Sequence, residues 1–318
     1  MVYLSIIIPH YNSPRSLKKL LDSIPQKEEI QIIVIDDRSN LEVDKLYSLI
    51  SNNKYNHVLF TNNNTDQKGA GVCRNIGLDI AEGKWILFAD SDDFFTDGFY
   101  DTVSSYFSTD NDIVFFSPTS VEVDTGNKSD RHVQKEKIIT SFLEQGDYKS
   151  EVSLRYRFFV PWSKLIRSDF IKDNKIYFDE VIASNDVMFS VKAGYYMKKF
   201  EVSRDIIYCV TKSRGTLTTN TSLEVYDSRL RVYINYCQFL KANLNKEELE
   251  MFNLRGSTMI INAVKYRLGF RKIFSIYVTL KNNNIEVFDL RFFNPVFLIK
   301  KSIYHYRNHK KQKKYLVK

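Results

Sequence analysis

The chain has 318 residues, a formal net charge of +8 and 43% hydrophobic residues, enough for one large α/β domain with an appendage or for two modest domains. No apolar run approaches the roughly 18–20 residues of a membrane span, and the opening MVYLSIIIPHYN lacks a basic n-region, so it reads as a first strand rather than a secretory signal. Cys73, Cys209 and Cys237 stand far apart, with no CxxC pair and no histidine at ligand spacing, which implies buried or semi-buried free thiols in a reducing cytoplasm.

The charge is uneven. Residues 300–318 carry eight Lys/Arg and no acid, which leaves residues 1–299 with as many acids as bases. A basic body would point to a nucleic-acid groove; a basic tail on a neutral body points to a surface tether.

In chain order, LSIIIP (4–9) is a short continuous apolar run, as in a strand buried on both faces. Ser13-Pro14 signals a helix start, and Leu17, Leu20, Leu21 and Ile24 follow at helical spacing. IQIIVIDD (30–37) and HVLFTN (57–62) read as the second and third strands, with GAGVCRNIGLDIAEG (69–83) as a helix closed by Gly83. KWILFAD (84–90) and DIVFFS (112–117) supply a fourth and a fifth strand. The alternation predicts a doubly wound, mostly parallel sheet over residues 1 to about 120. Ligands of such sheets bind outside the carboxyl ends of the strands. PHYN, DDRSN and DSDD all fall at those ends, so three loops are expected to meet at one crevice.

Beyond residue 121 the rhythm changes. SVEVDTGN reads as a strand reaching a turn, FVPWSKLIRSDFI (159–171) mixes strand and short helix, NDVMFSVKAGYYM (185–197) is helical and FEVSRDIIYCVT (200–211) is a strand. From about 222 the pattern is helical. The expected organisation is an α/β domain over 1–221, in two parts at 1–120 and 121–221. A helical C-terminal region follows over 222–318, with its basic tail at 295–318.

In ILFADSDDFF, three apolar residues and an alanine run into Asp90, Asp92 and Asp93. Crowded carboxylates repel, and the usual relief is a divalent cation, protonation, or splay into water. Asp90 and Asp92, two apart, point the same way in an extended segment. Mg²⁺ or Mn²⁺ suits an oxygen-only site completed by phosphates and water; a simple turn or helix cap before Asp97 is the plain alternative.

SIIIPHYN, IIVIDDRS, GAGVCRNIGLDIAEGKWILFADSDD and PWSKLIRSDFI…FDE…NDVMF, in this order, resemble the family 2 glycosyltransferases, nucleotide-sugar enzymes of the GT-A fold. The most specific piece runs from Arg74 to Asp93; residues 222–318 match nothing of the kind. The resemblance implies that Pro9, Tyr11 and Asn12 line the base and ribose and that Asp37, beside Asp36, accepts a hydrogen bond from the base. It places Arg74 near donor phosphates or ribose, Asp90 at the ribose or metal, Asp92 as the leading metal ligand, and Asp93 as a second ligand or sugar contact. Plainer roles stand beside these: Asn12 and Ser13 capping a helix, Asp36 bonding its own loop, Gly69, Gly71 and Gly77 permitting close packing, and Lys68 either reaching a phosphate or lying in solvent.

The family's members invert the anomeric centre, so a carboxylate must take the proton of the attacking hydroxyl. The family pattern puts it at the last acid of a Glu-Asp pair opening a helix. Here the pair is Asn185-Asp186. Asp186 is therefore the expected base, with Glu180 as runner-up, and the Asn at 185 puts in doubt an acceptor contact made by the missing Glu. The helix dipole at that position acts to lower a carboxylate's pKa and so to weaken a base. Trp162 either stacks on a sugar or packs beneath the site. Arg214, in SRGTLT (213–218), either pairs with phosphate or lies solvated. No QxxRW occurs, so addition of one sugar is expected rather than processive synthesis.

On family habit the donor is a UDP-sugar. The acceptor is expected to be a glycan, lipid-linked, in bacterial surface-polysaccharide synthesis, with a protein or teichoic-acid-type acceptor, or a fold that binds without catalysing, as alternatives. In the tail, Asn294-Pro295 starts a helix and Val296, Ile299, Ile303 and Tyr306 recur at helical spacing, which implies peripheral contact with the inner face of the cell membrane. Homo-oligomerisation is left open. An aspartyl-phosphate protein is disfavoured because PHYN stands where its nucleophilic Asp belongs, and a nucleic-acid binder because the body is neutral.

Overall fold

The computed structural model describes residues 1–212, 221–252 and 254–287. Arg214 with its loop, and the tail 295–318, lie outside them. The chain divides into two compact units, Met1–Arg214 and Gly215–Lys318.

In the first unit the strands are β1 (Leu4–His10), β2 (Ile30–Asp36), β3 (Val58–Asn62), β4 (Trp85–Phe88), β5 (Phe94–Phe95), β6 (Ile113–Glu122), β7 (Lys164–Arg167) and β8 (Phe200–Lys212). The helices are α1 (Pro14–Asp22), α2 (Val43–Ile50), α3 (Ala70–Ile80), α4 (Phe99–Ser104), α5 (Val133–Gln145), α6 (Tyr148–Arg157), α7 (Ser168–Asp173) and α8 (Asn185–Tyr196). The strands form one sheet in the order β3-β2-β1-β4-β7-β6-β8-β5. β3, β2, β1 and β4 run parallel, as does β6 with β8, while β7 lies antiparallel to both its neighbours and β5 antiparallel to β8.

The apolar runs explain the burial. Alternate side chains of a strand leave opposite faces, so Leu4, Ile6 and Ile8 join one core while Ile7 joins the other, and Ile32 and Val34 divide from Ile33 and Ile35 in the same way. A sheet with a core on each face needs strands that are apolar on both sides, as β1, β2 and β4 largely are.

Strand β7, from the segment read only as mixed strand and helix, inserts antiparallel between β4 and β6. One expectation needs correction. Helix α3 ends at Ile80 with an extended Ala81, not at Gly83. Gly83 serves close approach instead, because a Cβ there would sit 2.5 Å from the Ser5 backbone nitrogen. The helices α5 and α6 had no counterpart in the sequence reading, and α6 shows why. Its apolar and polar residues are poorly segregated, yet Val152, Leu154 and Tyr156 are buried.

The second unit is helical where described: α9 (Leu223–Asn243), α10 (Lys246–Glu250), α11 (Ser257–Lys265) and α12 (Phe270–Asn282). An Asn245–Glu248 capping box starts α10. Gly256 lets Leu280 of α12 close on the start of α11.

Candidate active site

The loops after β1, β2 and β4 are tied together by side chains. His10 Nε2 accepts from the Ser13 N–H (3.2 Å), which leaves Nδ1 as the protonated nitrogen, and Nδ1 donates to Asp36 Oδ1 (2.7 Å). Asp36 also accepts the Ser39 N–H (2.9 Å) and hydroxyl (2.6 Å). Burial acts to raise its carboxyl, but these bonds outweigh it and hold Asp36 below the ordinary value. Asn12, at φ 52°, takes the Asn40 and Leu41 N–H groups on Oδ1 and gives its own N–H to Ser39. Asn12 therefore spends its polar atoms on the loop after β2, while Asp36 bonds His10 and its own loop. Ser13 does not cap α1; its hydroxyl meets that of Ser91 (3.0 Å) in the acidic loop.

Asp37 is buried and accepts from Asn63 Nδ2 (2.7 Å) and the Gly69 N–H (2.8 Å), which fixes the entry to α3. Pro9 is buried within β1. Tyr11 is 50% exposed, with the exposed Lys68 Nζ 5.7 Å from its ring centroid. That pair presents an aromatic face and a cation side by side at the surface.

Helix α3 explains the Arg-Asn-x-Gly motif. Arg74, 5% exposed, donates Nη2 to Asp90 Oδ1 (2.5 Å) and Nη1 to Asn185 Oδ1 (2.8 Å), over the face of Phe178. Asn75 clasps the backbone of Phe178 in both directions, at 3.1 and 2.9 Å. A Cβ at Gly71 would run into the Asp179 carbonyl and lie 2.9 Å from Asn185 Cβ, and one at Gly77 into Ile7. The glycines let α3 press on β1 and on the segment that launches α8.

Asp90, Asp92 and Asp93 each present a carboxylate oxygen, all within 4.8 Å of one another. Strand β8 supports their loop: the Asp90 N–H donates to Tyr208 Oη (2.8 Å), the Thr211 N–H to Asp93 Oδ1 (2.7 Å) and the Thr211 hydroxyl to the Asp92 carbonyl (2.6 Å). Asp93 is 1% exposed, and its Oδ2 is buried without a partner. Burial, with the charges of Asp92 and Asp90, pushes the Asp93 carboxyl well above its ordinary value; burial and Asp90 raise Asp92. An all-carboxylate, oxygen-only set with one oxygen left bare fits a hard divalent cation. Tyr208 and Thr211 escaped the sequence reading, since nothing local in β8 signals its partner loop.

Trp162 is 6% exposed and stacks on Tyr208 (5.9 Å between centroids, 18° between planes). It packs beneath the acidic loop through Tyr208, whose hydroxyl takes the Asp90 N–H. Asn185 turns its oxygen to Arg74. Asp186, partly buried, sits in the first turn of α8 behind Ser184 at φ 63°. Burial raises its carboxyl despite the opposing Arg74, so desolvation outweighs the lowering expected at a helix start. Glu180 is exposed, within 3.4 Å of Asn75 Nδ2. The three cysteines are buried free thiols.

Residues 5–174 match the family model for glycosyl transferase family 2. The chain belongs to that family. Among relatives of this family 2 chain, TarS of Staphylococcus aureus, a poly(ribitol-phosphate) β-N-acetylglucosaminyltransferase, is 28% identical over 68% of this chain and 36% of its own. A poly(ribitol-phosphate) β-glucosyltransferase of Bacillus spizizenii is 32% identical over 64% of this chain and 31% of its own. The chain thus spans about a third of the length of these curated relatives. TarS residues 1–349 in complex with UDP-GlcNAc superpose with a TM-score of 0.62 at 23% identity, over 85% of this chain and 77% of that one. The mannosyltransferase PcManGT of Pyrobaculum calidifontis, in complex with GDP-Man and Mn²⁺, does so at 0.57 and 12% identity, over 99% and 84%. The architecture is GT-A.

Proposed function

We propose that this family 2 protein transfers one sugar, with inversion, from a UDP-sugar to a hydroxyl of a glycan acceptor. The observation that carries the reading is the bare, buried Oδ2 of Asp93 beside Asp90 and Asp92, at the carboxyl end of a parallel strand. Asp92 leads as the residue holding Mn²⁺ or Mg²⁺, with Asp90 and Asp93 beside it; a cation bound there supplies Lewis-acid neutralisation of the diphosphate's charge. Tyr11 offers its face to the uracil, Asp37 accepts from the base, and Lys68 meets a phosphate. Arg74 orients Asp90 and Asn185 from opposite sides of the site. Asp186 takes the proton of the attacking hydroxyl, and burial, by raising its carboxyl, makes it the stronger base.

A second reading concerns the acceptor. Both named relatives act on poly(ribitol phosphate), which supports a teichoic-acid-type polyol-phosphate chain as the hydroxyl source, beside a lipid-linked repeat unit. The basic tail 295–318 would suit either polyanionic surface. No described helix is long and apolar enough to cross a membrane.

The test is a screen of nucleotide sugars for hydrolysis with and without Mn²⁺, alongside thermal stabilisation by UDP. Mn²⁺-dependent turnover of a UDP-sugar, lost in Asp92→Ala, is the expected result; equal turnover in EDTA overturns the metal assignment.

A further inference from the structure

Helix α12 is apolar on two faces, and the fold uses one of them. Ile276 and Leu280 are buried, and Leu280 closes on Gly256 of α11. Phe270, Phe274 and Val278 recur at i, i+4 and i+8 and stay 83%, 58% and 37% exposed. They make one stripe about 12 Å long. On α11, Ile261 and Val264 are also exposed. Side chains of this size left in water in a row mark an interaction surface.

The charge around the stripe identifies the partner. Residues 257–282 hold Lys265, Arg267, Arg271, Lys272 and Lys281 and not one acid. Lys272 pairs with Asp227, and the other four bases are exposed. Phenylalanines rimmed by bases match a membrane interface, where the rings enter the acyl boundary and the cations meet anionic headgroups. The same charge argues against other occupants. A second copy packed face to face would set these bases against themselves. The chain's own residues 300–318, with eight bases and no acid, would do the same.

We propose that the Phe270–Phe274–Val278 face of α12 docks on an anionic lipid surface, with Arg267, Arg271 and Lys281 against the headgroups. This contact is separate from the basic tail and independent of the sugar-transfer reading.

The full chain tests it by sedimentation with phosphatidylglycerol-containing vesicles. Phe270→Ser with Phe274→Ser is expected to lower vesicle partition about tenfold or more, with an unchanged melting temperature and unchanged hydrolysis of soluble donor. Phe270→Trp supplies a second readout that reports on this face alone. Its emission shifts to the blue on anionic vesicles and is quenched by brominated acyl chains; Trp85 and Trp162 are buried. Unshifted emission on vesicles that carry the protein down overturns the proposal. So does displacement of the vesicles by a single-stranded oligonucleotide, or a dimer that the double variant dissolves while partition stays the same.

Discussion

Arg74 and Asp90 form an ion pair at 2.5 Å in which the guanidinium is 6% and the carboxylate 28% exposed. The second arm of the same guanidinium reaches Asn185, next to Asp186. The loop that gathers three acids is thus partly neutralised by the protein itself, and the neutralising group also touches the start of the helix that carries the proposed base. Only Asp90 gains this partner directly; Asp93 keeps a bare oxygen.

Arg74→Lys keeps the charge and loses the planar fork, so one arm is given up. A charge-assisted hydrogen bond at a buried site is worth about 1.5–3 kcal/mol. Turnover of donor is expected to fall on the order of tenfold to a hundredfold, with a smaller loss in melting temperature. Wild-type kinetics in the Lys variant would show that the bridge has no role in the site.

Asp93→Asn removes a buried charge while Oδ1 still accepts the Thr211 N–H. Because the Asp93 pKa is raised in the fold, the wild type gains stability as pH falls through that folded value and is penalised above it. The variant is expected to melt higher than wild type without metal at alkaline pH, to lose that advantage progressively as pH falls towards the ordinary carboxylate value, and to lose stabilisation by Mn²⁺ with UDP. Thermal melts across a pH series read all three effects.

Asp186→Asn is expected to lower sugar transfer by about 10²–10⁴ and to leave UDP binding unchanged, read by calorimetry beside steady-state rates. As the Asp186 carboxyl is raised, the acid limb of kcat/KM should lie above the ordinary carboxylate value and be absent from the variant's residual rate. Full transfer activity in the variant moves the base elsewhere, first to Glu180.

Gly71→Ala drives a methyl into the Asp179 carbonyl and against Asn185. Overpacking of this kind costs about 1–3 kcal/mol, and the shift it forces falls on Asn185 and Asp186. Activity should therefore drop by more than the lost stability accounts for, as comparison of melting and rates at 15 °C and 30 °C would reveal.

Tyr11→Ala removes the exposed ring proposed to stack on the base. A loss of about 1–3 kcal/mol in UDP affinity is expected from stacking, with melting unchanged because the side chain is half in solvent. Unaltered affinity assigns the base to another surface.

The sequence by itself determined the elements whose cause is local. Short apolar runs at 6–9, 32–35 and 85–88 read as strands covered on both faces, and the acids and Asn-Ser loops placed where those runs stop were expected at one sheet edge. Family resemblance carried Asp92 and Asp186 into roles that periodicity cannot assign. What only the tertiary structure decided are pairings across long separations. β7 slots between β4 and β6, Tyr208 and Thr211 hold a loop more than a hundred residues before them, and Trp162 turns its face to Tyr208. Arg74, equally legible as a phosphate ligand, spends its guanidinium on Asp90 and Asn185. Local pattern is set by each residue's own preference for water or for a neighbouring turn. Which distant group meets a buried charge or ring is set by packing, after the whole sheet has closed.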